Sequence, residues 1–334
     1  MANDTGIRFG VIGYGGAFNM GKAHGDQAAN AGMPLTAVCD LDPARTDQAK
    51  QDFPDIYTSN DVDQFLAEAP VDLVTIITPH NTHADLCIKA SKAGKHVITE
   101  KPMCITTDEA TRMIDAANST GKMLSVYHNR RWDGDFMAIR KTVESGVIGD
   151  VFSVEMYMGG YGHPGHWWRS DKKISGGNFY DWGAHIVDWL LHIVNKPVVD
   201  VTGIFQKRVW NDVTNEDHTQ AIIRFEDNVW ADVQLSSIAR AGKPRYRILG
   251  TKGAITDSWG GHFTLATEMD GLVTEAKVNY LEGDWTAYYK NIAAHLHEGA
   301  ELVVTPESAR RIISVIETAE KSAKEGKALA PPFK

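Results

Sequence analysis

The sequence predicts an α/β protein of two domains: a doubly wound parallel sheet first, then a second α/β domain on a mostly antiparallel sheet. Three observations predict it. Up to about residue 125, short β-branched apolar runs alternate with helical stretches that close on glycine. A glycine-rich turn joins the first run to the first helical stretch. Beyond about residue 150, paired strand-like runs separated by tight turns take over.

In order, "IRFGVIG", "LTAVCD", "VDLVTIITP", "KHVITEKP" and "KMLSVYH" read as strands. "TSNDVDQFLAEA" and "HADLCIKASKAG" read as helices, the latter with Gly94 as its C-cap. "TTDEATRMIDAANSTG" opens on threonines and acids, as a helix N-terminus requires, and ends on glycine. Such alternation implies a parallel sheet with helices on both faces, and ligands then bind beyond the carboxyl ends of the strands. In the second half "DVFSVEMYMGGY" alternates, "TQAIIRFEDNVWADVQLSS" reads as a hairpin with an Asp-Asn turn, and "YRILGTKGAITDS" reads as another. "TPESARRIISVIETAEKSAKEG" is a charged helix with proline just inside its start. The first domain is expected to end between Tyr127 and Asp133, giving domains 1–128 and 129–334.

The 334 residues suit two domains, and 43% hydrophobic with 23% charged residues is ordinary for a globular protein. A net charge of −9 argues against a nucleic-acid partner. No apolar run reaches bilayer length and no leader pattern opens the chain, so no membrane partner and a cytoplasmic setting are expected. Cys39, Cys87 and Cys104 fit no disulfide framework or zinc spacing.

"FGVIGYGGAFNMGKAHGDQA" carries Gly13 and Gly15, the first two positions of G-x-G-x-x-G. Position 18 is Phe, and the next suitable glycine is Gly21, three residues late. The longer loop, Gly16 included, is expected to carry Phe18, Asn19 and Met20 over a pyrophosphate or a nicotinamide ribose. Asp40 closes the second strand about twenty residues beyond Gly21. A carboxylate there accepts hydrogen bonds from a ribose diol and repels a 2′-phosphate, which favours NAD over NADP.

Three further segments complete a pattern. "ITPHNTHADLCIKASKAGKHVITEKP" places Thr78, Pro79, Asn81 and His83 after one strand and Glu100-Lys101-Pro102 after the next. "GGNFYDWGAHIVDWL" places Asp181 and His185 one helical turn apart after a glycine pair. With the glycine loop, these segments strongly resemble the Gfo/Idh/MocA family of nicotinamide-dependent oxidoreductases, over essentially the whole chain. The resemblance implies an N-terminal Rossmann domain and a C-terminal α/β domain with a large open, mostly antiparallel sheet. It implies oxidation or reduction of a secondary alcohol on a sugar, inositol or related polyol, and assembly as a homodimer or homotetramer. The family's catalytic lysine, Asp and His correspond to Lys101, Asp181 and His185. The lengthened glycine loop departs from the pattern.

The chemistry needs a C–H aimed at the nicotinamide, a base for the hydroxyl proton, and a grip on the hydroxyl. His185 suits the base, since an unperturbed imidazole titrates near neutrality. Lys101, at a strand's carboxyl end, can donate to the reacting oxygen or carry the proton itself. Asp181 either orients His185 or binds a neighbouring hydroxyl. Further along that helix, Asp188 is expected to support the site from behind, and His192 to meet free carbonyls near the helix end. His83 and Asn81 are expected at the nicotinamide end, and Asn129 is expected to face the cleft. The stretch "GYGHPGHWWRSDKKISGG" supplies His163, Trp167, Trp168 and Arg169 as a substrate wall. His163-x-x-His166 with Asp181 and His185 contains zinc-ligand types. The spacing is unconstrained and Lys101 already fills the electrostatic role, so no metal is expected. Two other readings use the same sequence. A tightly held NAD could serve glycosidic bond cleavage by transient oxidation of a sugar, and a dinucleotide-binding regulator would need no Lys/Asp/His set.

Overall fold

The structure, a computed structural model, describes residues 5–15 and 18–334. Along the chain run β1 (Phe9–Ile12), α1 (Met20–Asn30), β2 (Leu35–Cys39), α2 (Pro43–Asp52), β3 (Tyr57–Ser59), α3 (Val62–Glu68), β4 (Leu73–Ile76), α4 (His83–Lys92), β5 (His96–Thr99), α5 (Thr107–Thr120) and β6 (Leu124–Val126). Then come α6 (Gly134–Glu144), β7 (Val151–Gly159), α7 (Lys172–Ser175), α8 (Asn178–Val194), β8 (Val198–Gln206), β9 (His218–Phe225) and β10 (Trp230–Ser236). The chain ends with β11 (Tyr246–Gly250), β12 (Gly253–Asp257), β13 (His262–Met269), β14 (Leu272–Asn279), α9 (Thr286–Glu298) and α10 (Pro306–Glu325).

The first six strands form a parallel sheet in the order β3-β2-β1-β4-β5-β6. The order reverses between β1 and β4, and ligands of such sheets bind outside the strand ends at that switch point. Local chemistry agrees with the elements. Thr106 and Glu109 close a capping box on α5, and Gly121 ends it in the left-handed region.

The other eight strands form one sheet in the order β14-β13-β12-β11-β7-β10-β9-β8, antiparallel except for β7 beside β10. Asp227 and Asn228 both take positive φ at the β9–β10 turn, as an Asp-Asn hairpin requires. A further hairpin, β13–β14, turns on Asp270-Gly271, both at positive φ. Helix α10 lies so close on β8 that a Cβ on Gly203 would meet the Ala319 carbonyl oxygen at 1.8 Å. The Gly203 amide donates to Ser322 Oγ at 3.0 Å.

The chain folds as two compact units. One comprises residues up to Asn129 together with Trp285–Arg310; the other comprises Arg130–Asp284 and Arg311–Lys334. The expected 1–128/129–334 division therefore needs one correction, because the α9 segment belongs with the first unit. Its aromatic residues explain this. The Tyr289 ring meets Phe9 edge-on at 5.6 Å, and Tyr288 meets Tyr127 at 5.0 Å and donates to Ser125 Oγ. No helix among the described residues is long and apolar enough to cross a membrane.

Gly203→Ala should lower unfolding stability by roughly 1–3 kcal/mol or more, since backbone cannot yield as a flexible side chain can. Gly242→Ala, which meets nothing within 4 Å, should stay within about 0.5 kcal/mol of the parent. Urea unfolding at neutral pH measures both.

Candidate active site

The glycine loop is built by close approach. A Cβ on Gly13 would meet the Ile77 carbonyl oxygen at 2.6 Å and Thr78 Cγ2 at 2.7 Å, so only glycine lets β1 end against β4. A Cβ on Gly15, at φ 63°, would meet nothing nearer than the Gly13 carbonyl oxygen at 3.9 Å, and the Gly15 N–H donates to Asp40 Oδ2 at 3.0 Å. Gly21 performs the packing task of the missing third glycine, because a Cβ there would meet the Tyr14 carbonyl oxygen at 2.4 Å. The three-residue delay thus lengthens the loop without removing the close contact of helix and strand. Phe18 and Asn19 both take positive φ just before Met20 opens α1, and the Phe18 ring is 68% exposed. Gly16 lies outside the described residues.

Asp40 follows β2 with its carboxylate held by two amides, Gly15 N–H at 3.0 Å and Asp42 N–H at 2.9 Å. It lines a cavity of about 460 Å³ with Gly13, Gly15, Thr78, Pro79, Asn81 and Leu41. The fit to a dinucleotide is good. The cavity is mostly apolar, a fixed carboxylate stands on its wall, and at Gly15 the backbone is open to close approach.

Glu100 and Lys101 follow β5. The Lys101 amide donates to Glu100 Oε2 at 3.0 Å, and Glu100 Oε1 lies 3.1 Å from His24 Nε2 on α1. Burial raises the Glu100 carboxyl, but the His24 hydrogen bond and the Lys101 charge outweigh it and hold it below the usual value. His83 has a different place from the one expected. It is fully buried, with Nδ1 2.8 Å from the Pro102 carbonyl and Nε2 2.8 Å from the Thr78 carbonyl. It braces the loops after β4 and β5 against each other, and neither nitrogen is left for a cofactor. Two carbonyl partners favour the charged ring. Burial outweighs them and holds the imidazole below its ordinary value. Asn129 is buried at the end of the first unit.

Helix α8 carries Asp181, His185, Asp188 and His192 on one stripe, and the structure separates their roles. Asp181, in the first turn, accepts from Arg169 Nη1 at 2.6 Å. His185 is 5% exposed, with the Trp182 ring edge-on at 5.7 Å and Trp189 stacked at 6.1 Å. Asp188 takes Arg131 in a buried fork, with Nη2 at 2.7 Å and Nε at 2.9 Å. His192 Nε2 lies 3.6 Å from Asp188, and burial depresses its pKa. It therefore faces a carboxylate where free carbonyls were expected.

Arg169 is a strut between loop and helix. Its guanidinium sits 4.9 Å from the Trp168 ring centroid and 5.4 Å from Trp167, and its charge is spent on Asp181. Trp167 is 37% exposed and donates through Nε1 to the Pro164 carbonyl. His163 and His166 do not join Asp181 and His185 as ligands. They meet Asp212, at 3.0 Å and 3.3 Å, and among the described residues this trio alone has a metal-like grouping. His163 Nδ1 accepts from the Gly165 amide at 3.0 Å. In the neutral ring the proton then sits on Nε2, where it donates to Asp212 and blocks a metal bond.

Two aromatic residues escaped the sequence reading. Trp259 is 52% exposed at positive φ, lies edge-on to Trp182 at 6.4 Å, and has the Arg245 guanidinium 3.9 Å from its ring centroid. Arg245 in turn pairs with buried Asp135 at 2.7 Å. "SWGG", a tryptophan before two glycines at a hairpin tip, was the available signal.

A doubly wound sheet with this loop and acidic residue defines a dinucleotide-binding oxidoreductase. Residues 7–128 match the NAD-binding Rossmann-fold model of the GFO/IDH/MocA oxidoreductases, and residues 136–256 match the C-terminal domain model. The chain belongs to the GFO/IDH/MocA family. It is similar to the scyllo-inositol 2-dehydrogenase (NADP(+)) IolW of Bacillus subtilis, 29% identical over 353 aligned positions, covering 96% of this chain and 94% of that protein. The inositol 2-dehydrogenase of Rhizobium meliloti is 28% identical over 96% of this chain and 97% of its own length. Among solved structures, the oxidoreductase yvaA from Bacillus subtilis superposes with a TM-score of 0.86 at 28% identity, covering 97% and 98% of the two chains.

Asp188→Ala should cost about 3–5 kcal/mol in urea unfolding, because it strands a buried guanidinium. Asp26→Asn breaks the exposed Lys22 pair and should cost under about 1 kcal/mol.

Proposed function

We propose that the protein is an NAD-dependent dehydrogenase acting on a secondary hydroxyl of an inositol, sugar or related polyol. Asp40 is the observation that carries the reading. Its carboxylate is fixed by two amides on the wall of the 460 Å³ cavity, where it would accept from a ribose diol and repel a 2′-phosphate. The relative IolW has NADP(+) in its name, so the preference for NAD rests on this chain's own residue.

The residues divide the work. Gly13 and Gly15, whose amides go to the Cys39 carbonyl and the Asp40 carboxylate, would let the pyrophosphate approach the backbone closely, and the loop through Phe18, Asn19 and Met20 would lie over it; Thr78, Pro79 and Asn81 would line the cofactor's seat. When bound, the cofactor supplies the hydride acceptor. Lys101 donates to the reacting oxygen and favours its alkoxide form. His185, flanked by Trp182 and Trp189, would take or return the hydroxyl proton, a task that Lys101 can share. Asp181, held by Arg169, accepts from a substrate hydroxyl. Trp182 and Trp259, with Trp167 and Trp168, offer ring faces to the C–H faces of a cyclic polyol. The inositol names of the relatives support that substrate class. Assembly as a homodimer or homotetramer follows the same family likeness.

The test is steady-state turnover with a panel of inositols, sugars and sugar acids, each with NAD and with NADP, followed by absorbance of the reduced nicotinamide. NAD should exceed NADP in kcat/KM by about tenfold or more, a difference of about 1.4 kcal/mol. Lys101→Ala should lower turnover by about 10²–10⁴-fold while leaving NADH binding nearly unchanged. Preference for NADP, or full turnover in the Lys101 variant, would overturn the reading. Release of a glycosidic product without net NADH would favour transient oxidation instead.

A further inference from the structure

Behind Lys101 lies a chain of buried polar groups that the proposed chemistry does not use. Thr75 Oγ1 lies 3.2 Å from Tyr289 Oη, Tyr289 Oη lies 2.6 Å from His24 Nδ1, and His24 Nε2 lies 3.1 Å from Glu100 Oε1. Glu100 Oε2 then accepts the Lys101 amide at 3.0 Å. His24 and Tyr289 are fully buried, and so is the Thr75 side chain on β4.

Hydrogen-bond inventory fixes the direction of the chain. An ionised Glu100 is acceptor-only, so His24 Nε2 must carry a proton and donate to it. In the neutral ring Nδ1 is then an acceptor, and Tyr289 donates to it. The Tyr289 oxygen accepts in turn from Thr75. Every member is satisfied in one orientation. Such a network specifies position more strongly than its separate bonds would. It also spans the unit: His24 comes from the helix after the glycine loop, Thr75 from β4, Tyr289 from α9 and Glu100 from the end of β5.

A carboxylate only 15% exposed is a poor choice if stability alone is at stake, since apolar packing of similar volume often does as well or better. Here the carboxylate's free oxygen is spent on the backbone of Lys101. We propose that His24 is a positioning residue for Lys101: its imidazole holds the Glu100 carboxylate aimed at the Lys101 amide, and so fixes the chain from which the ammonium projects. This rests on the role proposed above for Lys101. The charged or titratable groups around Glu100 are His24 from α1, Tyr289 from α9, His83 from α4 and Lys101 itself.

The test compares His24→Leu, His24→Gln, Glu100→Gln and the double variant His24→Leu/Glu100→Gln in the full chain. One readout is thermal melting from pH 5 to pH 8, which needs no substrate. In the parent, Glu100 has a depressed carboxyl pKa, so its contribution is present above the ordinary carboxylate range and is lost as pH falls. Without His24 the burial is opposed only by the Lys101 charge and amide, so the carboxyl rises relative to the parent and its ionisation is less favourable in the folded chain. The melting deficit of His24→Leu should therefore widen as pH rises from 5 to 8. In the Glu100→Gln background the same substitution should give a deficit that does not widen. His24→Gln keeps a donor and should recover most of the loss. The second readout is kinetic, with myo-inositol and NAD as probe. His24→Leu should lower kcat at least tenfold, with NADH affinity within about threefold of the parent and little further loss in the Glu100→Gln background.

A deficit that is flat with pH, equal losses in both backgrounds, or a His24→Gln variant no better than His24→Leu would overturn the proposal. So would an unchanged kcat. If Lys101→Ala keeps turnover, the Lys101 role fails by itself. The melting comparison still decides whether His24 holds Glu100.

Discussion

A carboxylate withdrawn from water stays where its donors put it, because moving it away would leave a bare charge in a medium of low polarity. Both units of this chain depend on that constraint. In the first, Glu100 is pinned by His24 and by the amide of Lys101. In the second, Asp188 is pinned by the Arg131 fork, and Asp135 by Arg245. The Arg245 guanidinium lies against the Trp259 ring at 3.9 Å and the Trp189 ring at 4.5 Å, and the His185 ring stacks with Trp189 at 6.1 Å. The candidate side chains are thus held by partners one residue further back. Asp40 and Asp181 obey the same logic closer to the surface, with two amides holding one and Arg169 the other.

The fold was legible because its signals are local. Strand–glycine–helix alternation, capping residues and turn residues each stand within a few positions of one another. The β13–β14 hairpin was equally legible in "MDGL", where Asp270 and Gly271 take the positive φ of a tight turn. The return of α9 to the first unit was not legible. It depends on Tyr288 and Tyr289 meeting Phe9, His24 and Tyr127, and no local pattern states which of two cores an aromatic pair will join.

The candidate site shows the same division. Residue types at motif positions could be read, but hydrogen-bond partners could not. His83 sits in the motif, yet both its nitrogens are consumed by the Thr78 and Pro102 carbonyls. His163 and His166 are ligand residue types, but Asp212, their shared partner, lies more than forty residues away in sequence. Gly21 appeared misplaced by count. Its contact with Tyr14 shows that what matters is where the helix crosses the strand. The added residues instead appear as Phe18 and Asn19, held in the sparsely populated left-handed region. Such strain concentrates at ligand clamps and switch segments.

A crystal structure of the protein with NAD bound tests the central claim most directly. The account predicts the adenosine ribose diol within hydrogen-bond distance of the Asp40 carboxylate, and the nicotinamide ring beside the Lys101 ammonium. A dinucleotide bound with its ribose away from Asp40, or with Lys101 turned to bulk solvent, would contradict it.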